Sequence, residues 1–150
     1  MRSYLFAGLV LGGALITDCA DEVTAPQSVV GQYRLTTVNN TPLPQLRSAT
    51  VDCDTWLVSG ALSLLPDGLF LLGSRDSVDC GQVFERASFT SSVLGGTYTL
   101  AQGQISLAPD GVAVGAAYQA AVSVDVLILT VTSTQPGPAS VSVGRYERVR

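Results

Sequence analysis

Short stretches of alternating apolar and polar residues run from Val29 to the end of the chain. β-branched, aromatic and Ser/Thr residues dominate these stretches, and Gly, Pro and Asp-Gly separate them at short intervals. Alternation with a period of two between turn residues is typical of antiparallel β-strands that bury one face. No stretch shows a convincing helical period. Strands are therefore expected near residues 28–38, 52–65, 69–77, 82–92, 95–101, 103–108, 111–121, 123–134 and 140–149.

The clearest turn signal lies at residues 65–69 (LPDGL), between two predicted strands. Pro, then Asp, then Gly at the left-handed position is typical of a type I turn with a bulge. A hairpin about this turn pairs residues whose numbers sum to 133 or 134, and Cys53 and Cys80 meet that condition. We therefore expect a cross-strand disulfide between them, with two free buried thiols as the alternative.

Two sequence patterns recur along the predicted strands. The pattern G-x-[LI]-S-L-x-P-D-G occurs at residues 60–68 and 103–111, which predicts a strand leading into a tight hairpin at both places. The pattern G-x-Y begins at Gly31, Gly96 and Gly144. Because residues two apart lie on one face of a strand, a tyrosine ring is expected to cover the bare backbone of a neighbouring glycine.

These features predict an all-β fold, a small antiparallel up-and-down β-barrel of about eight strands. A sandwich is the alternative for the same strands, but hairpins between nearest neighbours favour the barrel, because closure leaves no open sheet edge. The chain has 150 residues, which suits one domain with a single core. We assign the barrel domain to residues 28–150.

The pattern at the N-terminus is different, since residues 5–16 form an unbroken apolar run behind the single positive charge of Arg2. The run is shorter than the roughly 20 residues that a membrane-spanning helix needs. It has the form of a signal-peptide core, so residues 1–18 are expected to be a signal peptide. Residues 19–27 are small, acidic and without periodicity, and we expect them to form a flexible tether.

At the end of the signal segment, residues 15–19 (LITDC) resemble the lipobox of bacterial lipoproteins. The resemblance implies that Cys19 is lipidated and becomes the mature N-terminus, with Asp18 standing where that family usually has a small residue. The protein would then be exported and membrane-anchored in the bacterial cell envelope, at the outer membrane or the periplasmic face. The alternative is a secreted protein. Lipidation of Cys19 also leaves Cys53 and Cys80 as an even pair, which fits an oxidising compartment.

Composition removes several function classes. All 8 basic residues are arginines, and histidine and lysine are both absent. The chain therefore has no Ser-His-Asp or Cys-His nucleophile, no Schiff-base or P-loop lysine, and no histidine ligand for zinc. The formal net charge is −4 and the basic residues do not cluster, which argues against nucleic-acid binding. We expect a protein that is not an enzyme and needs no cofactor.

Residues 30–44 (VGQYRLTTVNNTPLP) resemble the opening strand of small bacterial lipocalin-like lipoproteins. Those proteins typically continue with a strand-PDG-strand hairpin, a G-x-Y strand and a final strand that ends in tyrosine and basic residues, as residues 146–148 do here. Tyr33 replaces the tryptophan of lipocalins proper, and the only tryptophan, Trp56, lies on the second predicted strand. The resemblance covers most of residues 28–150. It implies the barrel more than it specifies any one ligand.

The interior of an eight-stranded barrel can be filled by side chains or can hold one small ligand. We expect an envelope protein that binds a small apolar or amphipathic molecule. The alternative is a filled barrel that acts as an interaction or inhibitor module on the envelope surface. The candidate lining residues are the larger side chains of the predicted strands: Tyr33, Leu35, Trp56, Phe70, Phe89, Tyr98 and Tyr118.

Carboxylates are the only other candidate chemistry. If the disulfide forms, Asp52, Asp54 and Asp79 gather at one end of the barrel. Oxygen ligands of this kind can hold Ca²⁺, and neighbouring carboxylates can raise one another's pKa as an acid/base pair. Aspartates in loops are more often simply solvated. We therefore expect no metal, and keep these three aspartates as the calcium candidate.

Overall fold

Antiparallel β-strands are the only regular elements in the part of the chain that the computed structural model describes, which is residues 28–81, 88–111, 115–134 and 138–150. The predicted signal peptide, the tether and Cys19 lie outside these residues. The strands are β1 (Gly31–Val38), β2 (Thr41–Pro42), β3 (Gln45–Ala49), β4 (Asp54–Leu64), β5 (Leu69–Asp79), β6 (Ser88–Ala101), β7 (Gln104–Pro109), β8 (Ala116–Ser123), β9 (Val126–Ser133) and β10 (Ser140–Arg148).

Eight of these strands close into a barrel, which confirms the predicted fold class. Hydrogen bonds join β4, β5, β6, β7, β8, β9 and β10 in that order, each strand antiparallel to the next. The ring closes because β1 pairs with β10 along one edge and with β4 along the other. From β4 to β10 each strand pairs with the next one in sequence, and β1 closes the ring between the last strand, β10, and β4, so the barrel has up-and-down topology.

The two ends of the barrel differ. We call the end where β1 begins the lower end, and it carries the turns at residues 65–68, 102–103 and 124–125. We call the end where β1 finishes the upper end, and it carries β2, β3 and the Cys53–Cys80 disulfide.

The seam between β1 and β4 is closed only at the lower end, where residues 31–34 pair with residues 61–64. Towards the upper end the two strands separate, and β1 pairs with β2 while β4 pairs with β3. The sequence predicts a turn and an extended loop over residues 39–44, and no strand between this loop and the strand expected from residue 52. The presence of β3 corrects this prediction. Its residues lack an alternating apolar pattern. They become a strand because the free edge of β4 offers partners to their backbone N–H and C=O groups.

One long strand covers the described parts of two predicted ones. The sequence predicts strands over residues 82–92 and 95–101, because Gly95 and Gly96 resemble a break, whereas β6 runs without interruption from Ser88 to Ala101. Residues 82–87 of the first predicted strand lie outside the described residues. Neither glycine has a positive φ. Gly96 is buried against Phe70 and the backbone of β7. The glycine pair therefore permits close packing between strands and does not end the strand.

The β4–β5 hairpin confirms the predicted register and the predicted disulfide. Paired residues near the turn have numbers that sum to 134, and pairs beyond a bulge at Val58 have numbers that sum to 133. That shift of one residue places Cys53 opposite Cys80, and the two form a disulfide. In the turn, Gly68 has a φ of 80°, a left-handed conformation that glycine adopts without steric cost.

Large side chains fill the lower half of the barrel. The repeated P-D-G pattern contributes two matching inward pairs, Leu62 with Leu64 on β4 and Ile105 with Leu107 on β7. These residues pack in one apolar cluster, which excludes water from the lower half. The largest side chains that are almost completely buried are Tyr33, Phe70, Leu62, Leu64, Ile105 and Leu127.

The recurring G-x-Y pattern has one confirmed instance of a tyrosine that covers its glycine. The Tyr146 ring lies over Gly144, where its Cε2 atom would be 2.8 Å from an added Cβ. At Gly96 the neighbouring ring comes from β5, and at Gly31 the neighbour is the guanidinium of Arg148. Each glycine thus makes room for whichever large side chain the surrounding strands supply.

Candidate functional site

The upper half of the barrel contains a cavity of about 570 Å³. Small-molecule sites in proteins usually have volumes of about 300–1,000 Å³. Side chains from β1, β3, β4, β5, β6, β8, β9 and β10 line the cavity. Because so many strands contribute, the cavity is the interior of the barrel itself, directly above the filled core.

The floor and side wall of the cavity are apolar. Leu35, Leu57 and Leu129 belong to the buried core and also line the cavity, so they form the boundary between the filled and hollow halves. An apolar molecule on this floor would be shielded from water on its lower side. The side wall adds four partly buried aliphatic residues, Val38, Leu72, Leu94 and Val131.

The change from filled to hollow follows the size of the inward-facing residues. Along β5 the inward positions pass from Phe70 and Leu72 to Ser74, and β6 changes from Leu94 to Ser92. Ser74 and Ser92 are paired across the two strands, with their hydroxyl oxygens 2.8 Å apart. These short side chains do not reach the barrel axis, so space remains between the walls.

A charged pair lies at the rim of the cavity. Arg47 Nε is 3.3 Å from Asp76 Oδ1. Arg47 occupies a bulge in β3, between Leu46 and Ser48, which pair regularly with β4. A bulge re-aims the side chain of the extra residue, and the Arg47 side chain lines the cavity as a result.

Two tyrosines add hydroxyl groups to the wall, since Tyr118 and Tyr146 both line the cavity. Burial raises the pKa of Tyr146 to about 12, and the positive charge of Arg47 opposes this rise with a smaller effect. The Tyr146 phenol is therefore neutral and can donate a hydrogen bond at physiological pH. Arg47 and Tyr146 thus line the same cavity.

Arg148 closes the lower end of the barrel. Its guanidinium carbon lies 5.4 Å from the centre of the Tyr33 ring. Its Nη2 donates to the Tyr33 hydroxyl and to the Val30 carbonyl, both at 3.0 Å. The Tyr33 hydroxyl in turn donates to the Val29 carbonyl at 2.7 Å. These contacts cover the filled core from below, so the hollow part of the barrel is confined to its upper half.

The structure separates the predicted lining residues into groups. Leu35 and Tyr118 line the cavity. Tyr33 and Phe70 are buried in the filled half instead, and the partly buried Tyr98 packs against the same core. These three residues therefore support the cavity from below and do not surround it.

Trp56 and Phe89 lie on the outer face of the barrel, which corrects the expectation that they line its interior. Trp56 is 36% exposed and Phe89 is 55% exposed, with Arg75 stacked 4.1 Å from the centre of the Phe89 ring. The bulge at Val58 inverts the inside–outside order of β4, so Leu57 points inward in place of Trp56. Phe89 faces outward because the inward positions of the continuous β6 are the even-numbered ones.

Several polar residues that line the cavity are not predicted as site residues from the sequence, among them Arg47, Ser74, Ser92 and Tyr146. Strand alternation could have found Ser74, because it lies two residues from Leu72 and therefore on the same face. Nothing in the local sequence signals the direction of Arg47, because that direction depends on the bulge in β3.

The three candidate calcium ligands do not form a metal site. Asp54 lies opposite Asp79 in the β4–β5 ladder. Asp79 accepts a hydrogen bond from the backbone N–H of Gly81 at 3.2 Å, and Asp52 is exposed. Within the four described ranges, no group of three or more Asp, Glu, Cys or His side chains is placed to hold a metal ion. The cavity is therefore the candidate site that remains.

The candidate functional site is thus the cavity in the upper half of the barrel.

Among the residues whose structure is described, no helix has the length and apolar character needed to cross a membrane. No family model, curated protein or solved structure matches this chain.

Proposed function

We propose that this protein binds one small apolar or amphipathic molecule inside its barrel and does not catalyse a reaction. The observation that carries the proposal is the cavity of about 570 Å³ above a packed apolar floor. A ligand on this floor would remove its own apolar surface from water by packing against Leu35, Leu57 and Leu129, and buried apolar area contributes about 25 cal/mol per Å². The absence of histidine and lysine supports binding over catalysis.

We also propose that the protein is a lipocalin-like lipoprotein of the bacterial cell envelope. The support is the lipobox-like sequence that ends at Cys19 and the resemblance of residues 30–44 to lipocalin-like lipoproteins. The chain enters the barrel at its lower end, where β1 begins, and the cavity lies in the opposite half. An N-terminal anchor would therefore leave the cavity on the half of the barrel that is remote from the attachment point.

Lipidation of Cys19 gives a direct prediction for the protein in the membrane fraction. We expect the mature chain to begin at Cys19 and to carry added lipid mass on that residue, and we expect Cys19→Ser to leave the membrane fraction. Mass spectrometry of the intact protein measures the start of the chain and the added mass. An unmodified Cys19, or a mature chain that begins after it, contradicts the anchor and supports the secreted alternative.

A bulky side chain in the cavity wall should prevent ligand binding. Val131 lines the cavity from β9, so Val131→Trp places a large ring in the space that a ligand would occupy. We expect the wild-type protein to bind a fluorescent fatty acid saturably with one site, and Val131→Trp to bind it at least about tenfold more weakly. Titration of the probe fluorescence measures both affinities.

Val93→Trp is the matched control, because Val93 is 72% exposed on the outer face of β6. This variant should bind the probe like the wild type, with the same far-UV circular dichroism spectrum. Equal weakening in both variants would show that the probe binds elsewhere. Failure of the wild type to bind any fatty acid or retinoid would contradict the ligand proposal and favour the interaction or inhibitor module.

A further inference from the structure

We propose that the ligand of the cavity is an amphipath with one anionic head group, which Arg47 binds at the rim while the apolar tail lies on the leucine floor. This inference rests on the proposed function, and it adds the chemical class of the ligand and its orientation. It is carried by the distribution of charge and of hydrogen-bond donors around the cavity.

Positive charge at the cavity comes from one side chain. Of the described residues that line the cavity, Arg47 alone is charged. The neighbouring Asp76 forms an ion pair with it but does not belong to the lining. The lining of the cavity therefore includes the guanidinium of Arg47 and not the carboxylate of Asp76.

The two partners of this ion pair also differ in their accessibility. The side chain of Arg47 is 46% exposed, whereas that of Asp76 is 19% exposed. The Oδ1 atom of Asp76 is buried and has no hydrogen-bond partner among the described residues, so its contact with Arg47 is ionic. Asp76 can thus hold the guanidinium over the cavity but is poorly placed to accept a ligand's cationic group.

Arg47 retains donors for a ligand while it contacts Asp76. A guanidinium has five N–H groups in a planar fork, and the contact with Asp76 uses the Nε side. The remaining N–H groups match the two oxygens of a carboxylate or the oxygens of a phosphate or sulfonate. An anionic head group therefore fits this side chain better than a neutral one does.

The nearby hydroxyl groups provide further donors. Ser74 and Ser92 share one hydrogen bond, so one of their two hydroxyl hydrogens is free to donate to a third group. The neutral phenol of Tyr146 is a donor on the same wall. A rim that combines a cation with hydroxyl donors stabilises oxygen anions and repels ammonium groups.

The test compares ligands that share a tail and differ in the head group. Dodecanoic acid and dodecan-1-ol are titrated into the full chain at pH 8 by isothermal calorimetry. We expect the acid to bind about tenfold more tightly than the alcohol, because its head group makes charge-assisted hydrogen bonds. Arg47→Gln should weaken binding of the acid by about tenfold and leave binding of the alcohol unchanged.

Arg34→Gln is the matched control, because Arg34 is exposed and points away from the barrel interior on β1. It should change neither affinity. The head-group inference is overturned if acid and alcohol bind equally to the wild type, if the preference for the acid survives Arg47→Gln, or if dodecylamine binds more tightly than the acid. In each of those cases the cavity still binds an amphipath. If none of the three ligands binds, the proposed function fails and the inference fails with it.

Discussion

Gly96→Ala should lower the free energy of unfolding by about 3 kcal/mol, which is large for the addition of one methyl group. A Cβ atom at this position would lie 2.8 Å from Pro109 Cα and 2.9 Å from Phe70 Cε1, and it would overlap the carbonyl oxygen of Ala108. Two of these atoms belong to the backbone of β7 and cannot rotate away. Relief therefore requires β6 and β7 to separate. Urea denaturation followed by circular dichroism measures the change.

The adjacent glycine supplies the control for this prediction. A Cβ atom at Gly95 would lie 3.5 Å from Leu71 Cδ2, which is an ordinary van der Waals contact. We expect Gly95→Ala to change the free energy of unfolding by less than about 1 kcal/mol. Equal stability of the two alanine variants would show that β6 and β7 do not approach each other as closely at Gly96 as the structure indicates.

Removal of the Cys53–Cys80 disulfide should lower the free energy of unfolding by about 3–4 kcal/mol. The bond joins residues 27 apart in sequence, and the cross-link reduces the conformational entropy of the unfolded chain. It ties the start of β4 to the end of β5 at the upper end, where β1 and β4 have separated. Urea denaturation of the Cys53→Ala/Cys80→Ala double variant measures the loss.

Chemical reduction provides a second measurement of the same quantity. The wild type in excess reductant should lose as much stability as the double alanine variant, while the variant should not respond to reductant. A double variant as stable as the oxidised wild type would mean that the cross-link does not restrict the unfolded chain. A variant that is equally stable with and without reductant shows that the reductant acts only through this bond, and any difference between the reduced wild type and the variant is then the effect of the alanine side chains.

The β4–β5 hairpin was the most predictable part of the fold, because its information is local. Residues 65–69 contain the turn signal, and Gly68 adopts the conformation that the signal requires. Two cysteines at matching distances from the turn then set the pairing. Strand β3 was not predictable in the same way, because it depends on the open edge of β4 and not on its own pattern.

The candidate site was less predictable than the fold. The size of Leu35 and Tyr118 and their position on strands predict that they line the interior, and both line the cavity. Trp56 is also predicted to face inward, but the bulge at Val58 inverts the alternation beyond it. The sequence does not predict the inward direction of Arg47, because a second bulge turns it toward the interior. A single extra residue in a strand leaves no clear mark in composition or periodicity, yet it reverses the face of every residue beyond it.

The strand alternation, the turn at residues 65–69 and the pairing of Cys53 with Cys80 can all be predicted from the amino-acid sequence alone. Each of these depends on residues that are close in the chain or symmetric about one turn. The division of the barrel into a filled lower half and a hollow upper half becomes visible only in the folded protein. The cavity begins at the level along the barrel axis where inward-facing leucines are replaced by inward-facing serines on neighbouring strands. That level depends on the stagger of all eight strands and on the bulges within them. Both are set by pairing between strands that are distant in sequence, so no local pattern could show where the cavity begins.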